Sequence, residues 1–467
     1  MATMGLDGSG YPTPRSIIDW LGAAALLVFA SLTFVDVAKA NMLLGILLVL
    51  FLVGAWAQGR RLTGEPWFWV TVTFLGFVAL HGLLSAATGP LPNDTLVAAS
   101  LDYVKLGFLP ALVVAYWAAR WPRLITVVMW LIPAGLVWRV LSRLDGERLA
   151  VLMAGGDRAT FGDGAVLFGL WNLILLVLAI YHFTGSLQRL LDGVSVRAVM
   201  ALLGSVGLLV FGVAGLAFSQ TRSAWLLAAF ILPIQVMAMI GFRIARDRGR
   251  PVAVLSGAAL LAILASGLAW FSEPVMERFA DLRSTLVALL PGSEATIDRT
   301  ASAGLRVQML SEGWSAWVQR PLLGFGAGAD HWVITQSGNE ALISRGFYHL
   351  HNDLVIQLVE YGLVGLVFYG LLFLLPMAWL IQTMRHSREW RAEAGTLLLC
   401  LVALAGSGLA DRVFMSRRGP FVIAAVIGLA LAIKWLRREA GPLSSGEDQT
   451  KGGSGIREGR DTGIDRS

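Results

Sequence analysis

An all-α polytopic membrane protein is predicted by three observations. The 467-residue chain is 56% hydrophobic and only 15% charged, its mean hydropathy is +0.68, and apolar runs of membrane-crossing length recur from end to end. A water-soluble chain of this size would carry far more polar surface. Each apolar run of roughly twenty residues can cross a bilayer as a helix. The formal charge of +6 and pI near 9.8 fit loops that hold Lys and Arg against anionic lipid and do not point to nucleic acid. The single cysteine, Cys400, lies inside an apolar run, which excludes an intrachain disulfide or a thiolate metal site.

About twelve transmembrane spans follow in order. They run Ile17 to Val35, Met42 to Ala57, Trp67 to Ala87, Leu96 to Ala119, Leu124 to Trp138, Val166 to Phe183 and Val199 to Phe218. The later spans are Ala224 to Phe242, Val252 to Phe271, Leu354 to Ile381, Thr396 to Leu409 and Phe421 to Trp435. Ala38-Lys39-Ala40 resembles a signal-peptidase site, but the preceding run is long for a signal core, contains Asp19 and leads at once into another apolar stretch, so a retained first helix is expected. Asp102 and Lys105 stand three apart on the fourth span and are expected to pair along one helical face. Most of the abundant tryptophans are expected to be interfacial anchors.

Basic residues orient the spans. Arg60-Arg61, Arg120 with Arg123, Arg189 with Arg197, Arg243 to Arg250, Arg385 to Arg391 and Lys434 to Arg438 fall on alternate loops. The positive-inside rule makes that side cytoplasmic and puts both termini there. Residues 1–271 then hold spans one to nine with a shorter periplasmic loop, 139–164. Residues 272–350 form a large periplasmic loop, 351–440 hold the last three spans, and 441–467 form a Gly-, Ser- and charge-rich cytoplasmic tail expected to be disordered.

The periplasmic side carries arginines that topology does not ask for. For those of the long loops, Arg158 among them, solvated surface is the plain account. It does not serve Arg222, which stands in the tight connection Ser219-Gln220-Thr221-Arg222-Ser223 and is expected to meet an anion. Arg412, Arg417 and Arg418 fill another short turn. Within the large loop, Met276, Phe279, Arg283, Leu286 and Leu290 recur at helical spacing, as expected of an amphipathic helix on the membrane. A second helix is expected from Gly304, with Val307, Leu310, Trp314 and Trp317 as its apolar stripe and Arg306 beside it. The following Gly324-Phe325-Gly326-Ala327-Gly328 lacks the Lys-Ser/Thr ending of a phosphate loop and is read as a tight turn in a packed lid. The loop ends at Tyr348-His349-Leu350-His351-Asn352-Asp353-Leu354. His351 there is a candidate proton acceptor, or else an interfacial residue beside an Asn352 or Asp353 helix cap.

Gln220-Thr221-Arg222-Ser223, Gly304-Leu305-Arg306, Pro321-Leu322-Leu323-Gly324-Phe325-Gly326 and His351-Asn352-Asp353-Leu354 with Glu360-Tyr361-Gly362, in this order, resemble the O-antigen ligase and polymerase family of bacterial inner-membrane glycosyltransferases. The likeness covers the second half of the chain; the first half matches in hydropathy and span number. Thr221 stands where this family often has serine, which retains a hydroxyl. The resemblance implies transfer of a glycan from an undecaprenyl-diphosphate carrier to an acceptor sugar hydroxyl at the periplasmic face, with Arg222, Arg306 and His351 as the important residues. The best match is the ligase, whose acceptor is lipid A-core. A repeat-unit polymerase and a protein O-oligosaccharyltransferase share the motifs.

The residues suit such chemistry. The chain contains no Asp-x-Asp to hold a divalent ion, whereas arginine forks can stabilise a departing diphosphate. Neither metal nor cofactor is therefore expected. A helix N-terminus disfavours imidazolium at His351 and leaves it able to accept a proton. Direct displacement would invert the anomeric centre. His349, Asn352, Arg158 and Arg412 are further candidates for contact with the diphosphate or glycan. Glu360 is expected to turn away from His351 and is not counted as catalytic. A secondary transporter is the alternative of another class, but the long insertion follows span nine and no half-repeat is evident.

Overall fold

The computed structural model describes residues 17–56, 62–105, 107–154, 158–244 and 302–439, with Gly257, Ala258, Ala280, Arg283 and Val287. Among the described residues there is no strand, and eleven helices are long and apolar enough to cross a membrane. The first half comprises α1 (Ile17–Val35), α2 (Val37–Trp56), α3 (Pro66–Thr88), α4 (Asn93–Val104), α5 (Phe108–Arg120), α6 (Pro122–Leu141), the short α7 (Gly146–Met153), α8 (Ala165–Asp192), α9 (Val196–Phe218) and α10 (Arg222–Ile244). The second half comprises α11 (Ser302–Gln319), α12 (Ala329–Gln336), α13 (Glu340–Ile343), α14 (Asp353–His386), α15 (Arg391–Gly408) and α16 (Gly419–Glu439). The expected span Val252 to Phe271, the amphipathic helix from Met276 to Leu290 and the tail 441–467 lie outside the described residues, the few named above excepted.

Helices buried on all sides form the centre. In α8 every residue from Phe168 to Ile180 is buried, and α16 is buried from Phe421 to Ile433. A helix apolar all round belongs inside a bundle. By contrast α9 buries Leu208, Leu209 and Leu216 against α8 but exposes Met200, Leu203 and Val210, as a lipid-facing helix does. Asp19 in α1 forms an ion pair with Arg120 at the end of α5, which explains a carboxylate in the first apolar run.

The expected fourth span corresponds to the candidate crossing Asn93–Arg120, within which α4 ends at Val104 and α5 begins at Phe108. Pro110 has no N–H for a continued helix and is accommodated in the first turn of a new one. Gly107 at the join also lies close to α14 and α16: a Cβ there would stand 2.8 Å from Ile423 and 3.2 Å from Leu372. The expected Asp102–Lys105 pair forms at 2.8 Å. In α11 the buried stripe is Leu305, Met309, Gly313 and Ala316, whereas Leu310 and Trp314 of the expected stripe are exposed. The helix turns its small residues toward α14, where Gly313 meets Val355 and Leu350, and leaves its largest side chains outside. Trp20, Trp69 and Trp138 are exposed, but Trp67, Trp117 and Trp171 are fully buried core residues, so anchoring is not the general tryptophan role.

A local break in α14 shapes the site. Gly362 has φ +60 and ψ −151, a conformation open essentially to glycine. Helical continuity would pair Leu363 N with Val359 O and Val364 N with Glu360 O. Instead those two amides donate to Pro321 O (2.9 Å) and Leu322 O (3.4 Å). The freed Val359 and Glu360 carbonyls accept from Phe325 N and Gly326 N, both at 2.9 Å. The glycine-rich run is thus a strap laid across an opened helix with its backbone groups exchanged in pairs.

Candidate active site

Segments far apart in sequence converge beside the start of α14. The α9–α10 turn carries Gln220 at φ +45, uncommon outside glycine, and it reverses the chain so that α10 starts at Arg222. Thr221 Oγ1 donates to Ala165 O (3.0 Å). Arg158 spans this turn, with Nε donating to Ser219 O (3.4 Å) and Nη2 to Thr221 Oγ1 (3.2 Å). The structure therefore gives Arg158 a role in holding the turn, and the Thr221 hydroxyl is used in doing so.

Arg306 projects from α11, half-buried. Burial pulls its guanidinium below the usual range, while Asp411 draws it back up and Arg222 pushes it further down. Arg306 thus lies within interaction range of both the α10 arginine and the Asp411 turn. Two guanidiniums that feel each other's charge favour an anion that both can reach, since it offsets their repulsion.

His351 precedes α14 with φ +48. Its Nδ1 lies 2.7 Å from Asp411 Oδ1. An ionised carboxylate can only accept, so Nδ1 carries the proton in that contact and Nε2 is the ring nitrogen turned elsewhere. Burial alone would raise the Asp411 carboxyl, but the hydrogen bond and charge of His351 and the Arg412 backbone amide hold it below the usual carboxylate range. The Arg412 N–H donates to Asp411 Oδ1 at 2.8 Å. His349 packs on His351 with ring centroids 3.9 Å apart. Burial, aided by His351, pushes it down to about 3, so it is neutral at ordinary pH.

Asn352 is the N-cap of α14. Its Oδ1 accepts from Val355 N (3.1 Å) and its Nδ2 donates to Leu409 O (2.8 Å), so both ends of the amide are engaged in holding the helix start to the turn that carries Asp411. Asp353 adds a second tie through Oδ2, which accepts from Val413 N (3.2 Å) and Phe414 N (3.0 Å). Arg412 reaches a different group, with Nη1 3.4 Å from Asp330 Oδ2. Burial lowers it, but Asp330, Glu360 and their neighbours more than compensate and raise it. Glu360, fully buried, accepts from Tyr103 Oη and from Gly328 N (2.8 Å), and Gln357 Nε2 donates to Tyr103 Oη (2.9 Å). Arg412 therefore belongs to a buried polar network tying α4, α12 and α14 beneath the site.

The structure brings His349 and His351 together with Asp411 and sets Arg306 within electrostatic range of Asp411 and Arg222, and shows Arg158, Asn352 and Arg412 bonded to protein groups that position them. Asp411 was missed by sequence reasoning. Its signal was an acid in the short turn after Leu409, beside three arginines that drew attention away from it. His349, His351 and Asp411 can bring one ligand atom each within 4.8 Å of one another, a donor set that can hold a divalent ion. The positive charge of Arg306 and Arg412 beside it opposes a dication there.

Residues 207–370 match the family model described as O-antigen ligase. This segment belongs to the O-antigen ligase family. It contains Arg222, Arg306, the Gly324–Gly328 strap, His351 and the Gly362 break. No curated protein matches the chain. The match supports a ligase- or polymerase-type function in general, and the family implies polysaccharide and lipid-linked substrates; the many apolar helices make the chain a multi-pass membrane protein.

Proposed function

We propose that the protein is an O-antigen ligase, moving O-antigen polysaccharide from undecaprenyl diphosphate to a sugar hydroxyl of lipid A-core at the periplasmic face of the bacterial inner membrane. The observation that carries this reading is the His351–Asp411 pair with Arg306 in electrostatic range of both Asp411 and Arg222, a candidate base next to cationic charge. Arg222 and Arg306 hold the donor diphosphate and stabilise the charge it gains on leaving. His351 Nε2 takes the proton from the acceptor hydroxyl, whose oxygen attacks the anomeric carbon as the carbon–oxygen bond to the diphosphate breaks. The products are the inverted glycoside and undecaprenyl diphosphate. Asp411 holds the ring in the accepting tautomer and stabilises the imidazolium that forms. His349, unable to take a proton near neutrality, lines the site as a neutral ring.

The experiment is single-turnover transfer by purified full-length protein with lipid-linked donor. His351→Ala should lower the rate on the order of 10²–10⁴-fold with donor binding retained, and chelator should leave the parental rate unchanged. A His351→Ala protein that folds and transfers at the parental rate reduces His351 to a structural residue. Loss of activity in chelator with recovery on adding a divalent ion would assign His349, His351 and Asp411 to a metal instead. Replacing lipid A-core with repeat-unit donor or an acceptor protein separates the ligase from a polymerase or a protein oligosaccharyltransferase.

A further inference from the structure

A second cationic centre lies outside this machinery. Arg139 at the end of α6 and Arg418 before α16 are 2% and 3% exposed, and both pair with Asp163: Arg139 Nη1 at 3.1 Å from Oδ2, and Arg418 Nη1 with Oδ1. Arg139 Nη2 and Arg143 Nη1 (3.0 Å) both donate to Phe161 O. Phe34 O receives weaker bonds from Arg139 Nη1 (3.4 Å) and Arg418 Nε (3.3 Å). Phe161 holds φ +46 to present its carbonyl, and Arg148 lies over its ring at 4.6 Å.

Among the described residues, Asp163 is the carboxylate these guanidiniums share. Carbonyls satisfy donors but cancel no charge, so one anion serves Arg139, Arg418 and the adjoining Arg143. Burial pulls Arg418 below the usual guanidinium range, Asp163 draws it back, and Arg417 and Arg143 push it down again. Among the described residues, the buried Arg139 Nε has no acceptor. Desolvated surplus positive charge with an unused donor calls for an anion.

The surroundings indicate where that anion comes from. Trp138 beside Arg139 is exposed, as are Leu149, Val151 and Met153 on α7. An apolar rim around buried arginines fits a lipid surface with its phosphates level with the guanidiniums. The loop from Arg158 to Asp163 joins this centre to the Arg222 turn, a reach of no more than about 18 Å of extended chain.

We propose that Arg139, Arg143 and Arg418 around Asp163 form a second anion site that takes the phosphoryl headgroup of a membrane lipid, separate from the Arg222–Arg306 clamp and independent of the transfer reaction.

The full-length protein in phosphatidylcholine nanodiscs would be titrated with phosphatidic acid and bound lipid counted by native mass spectrometry. Arg143→Ala leaves the Asp163 pairs intact and should weaken phosphatidic acid retention about tenfold, the loss of one or more charge-assisted bonds. Arg418→Gln should weaken it at least as much, whereas Arg385→Ala at the far end of α14 should leave it unchanged. Inorganic pyrophosphate that competes shows the site accepts a soluble phosphoryl group as well, and pyrophosphate that does not compete shows that it requires the membrane-held one; both support the site. Equal retention by parent, Arg143→Ala and Arg418→Gln, or equal loss in Arg385→Ala, overturns it.

Discussion

His351 holds a left-handed backbone that helix capping does not require, since the cap is Asn352. Such a residue is strained by about 1–3 kcal/mol, and here the strain sets Nδ1 against Asp411 while Arg306 lies close by. Gln220 shows the same strain immediately before Thr221 and Arg222, so both sides of the proposed clamp and base rest on enforced turns. If a bidentate fork on the diphosphate is what Arg222 and Arg306 supply, charge alone will not replace it. Arg222→Lys and Arg306→Lys should each weaken donor binding about tenfold or more, measured with the lipid-linked donor, while the melting temperature stays near the parent's. Lysine variants with parental donor affinity would leave only a diffuse positive field. His349 gives a pH prediction. Its folded pKa, lowered to about 3, lies below the unfolded value near 6.5, so between the two only the unfolded chain binds the proton. Stability from this residue is complete above pH 6.5 and declines as the pH falls toward 3, by about 1–2 kcal/mol between pH 6.5 and 5. Thermal melting should show that slope, and His349→Gln should flatten it, even though His351, Asp411 and Arg412 surround the ring.

At the scale of elements, the exchange across Gly362 is the device that lets a loop strap and a spanning helix share one buried network. Gly362→Ala would place a Cβ 2.3 Å from the Leu322 carbonyl carbon in a conformation alanine does not adopt. It should cost at least about 1–3 kcal/mol, seen as a lower melting temperature. Gly76→Ala on α3, where a Cβ meets nothing within 4 Å, should instead hold or raise it, since alanine is the better helix former. Equal melting of the two variants would mean the break tolerates a side chain. Glu360-Tyr361-Gly362 was visible as a motif, but sequence spacing assumed an unbroken helix and so could place Glu360 only by rotation. The strap, too, read as a turn without a partner. Which face α11 buries was misjudged for a related reason: hydrophobicity picks out Trp314 and Leu310, whereas close approach to α14 selects Gly313 and Ala316. Contacts that depend on small residues and exchanged backbone bonds leave little trace in periodicity.

For the whole molecule, the spans were legible because lipid demands long apolar helices whatever their partners, and helix ends moved by at most three residues in α6, α9 and α10, whereas α8 runs nine residues past the expected end. Arg222, Arg306 and His351 were legible as motif residues, but Asp411 was not, since its role exists only once two loops meet. Orientation rests on basic loops, and the ion pairs are consistent with it. Asp19 with Arg120, and Glu65 with Lys434 (2.6 Å) and Arg438, tie helix ends on the side of the basic loops, while the His351 site lies at the opposite end of α14. The proposed reaction needs that opposite end in the periplasm. Cys400 is buried, so single cysteines added to the chain report alone. Ser344→Cys before α14 and Arg388→Cys after it, both exposed, bracket one membrane crossing. A membrane-impermeant maleimide should label Ser344→Cys in right-side-out vesicles and Arg388→Cys only after permeabilisation. The reverse pattern would put the arginine clamp and His351 in the cytoplasm, where a periplasmic glycan donor could not reach them, and the proposed ligase reaction would fall with it.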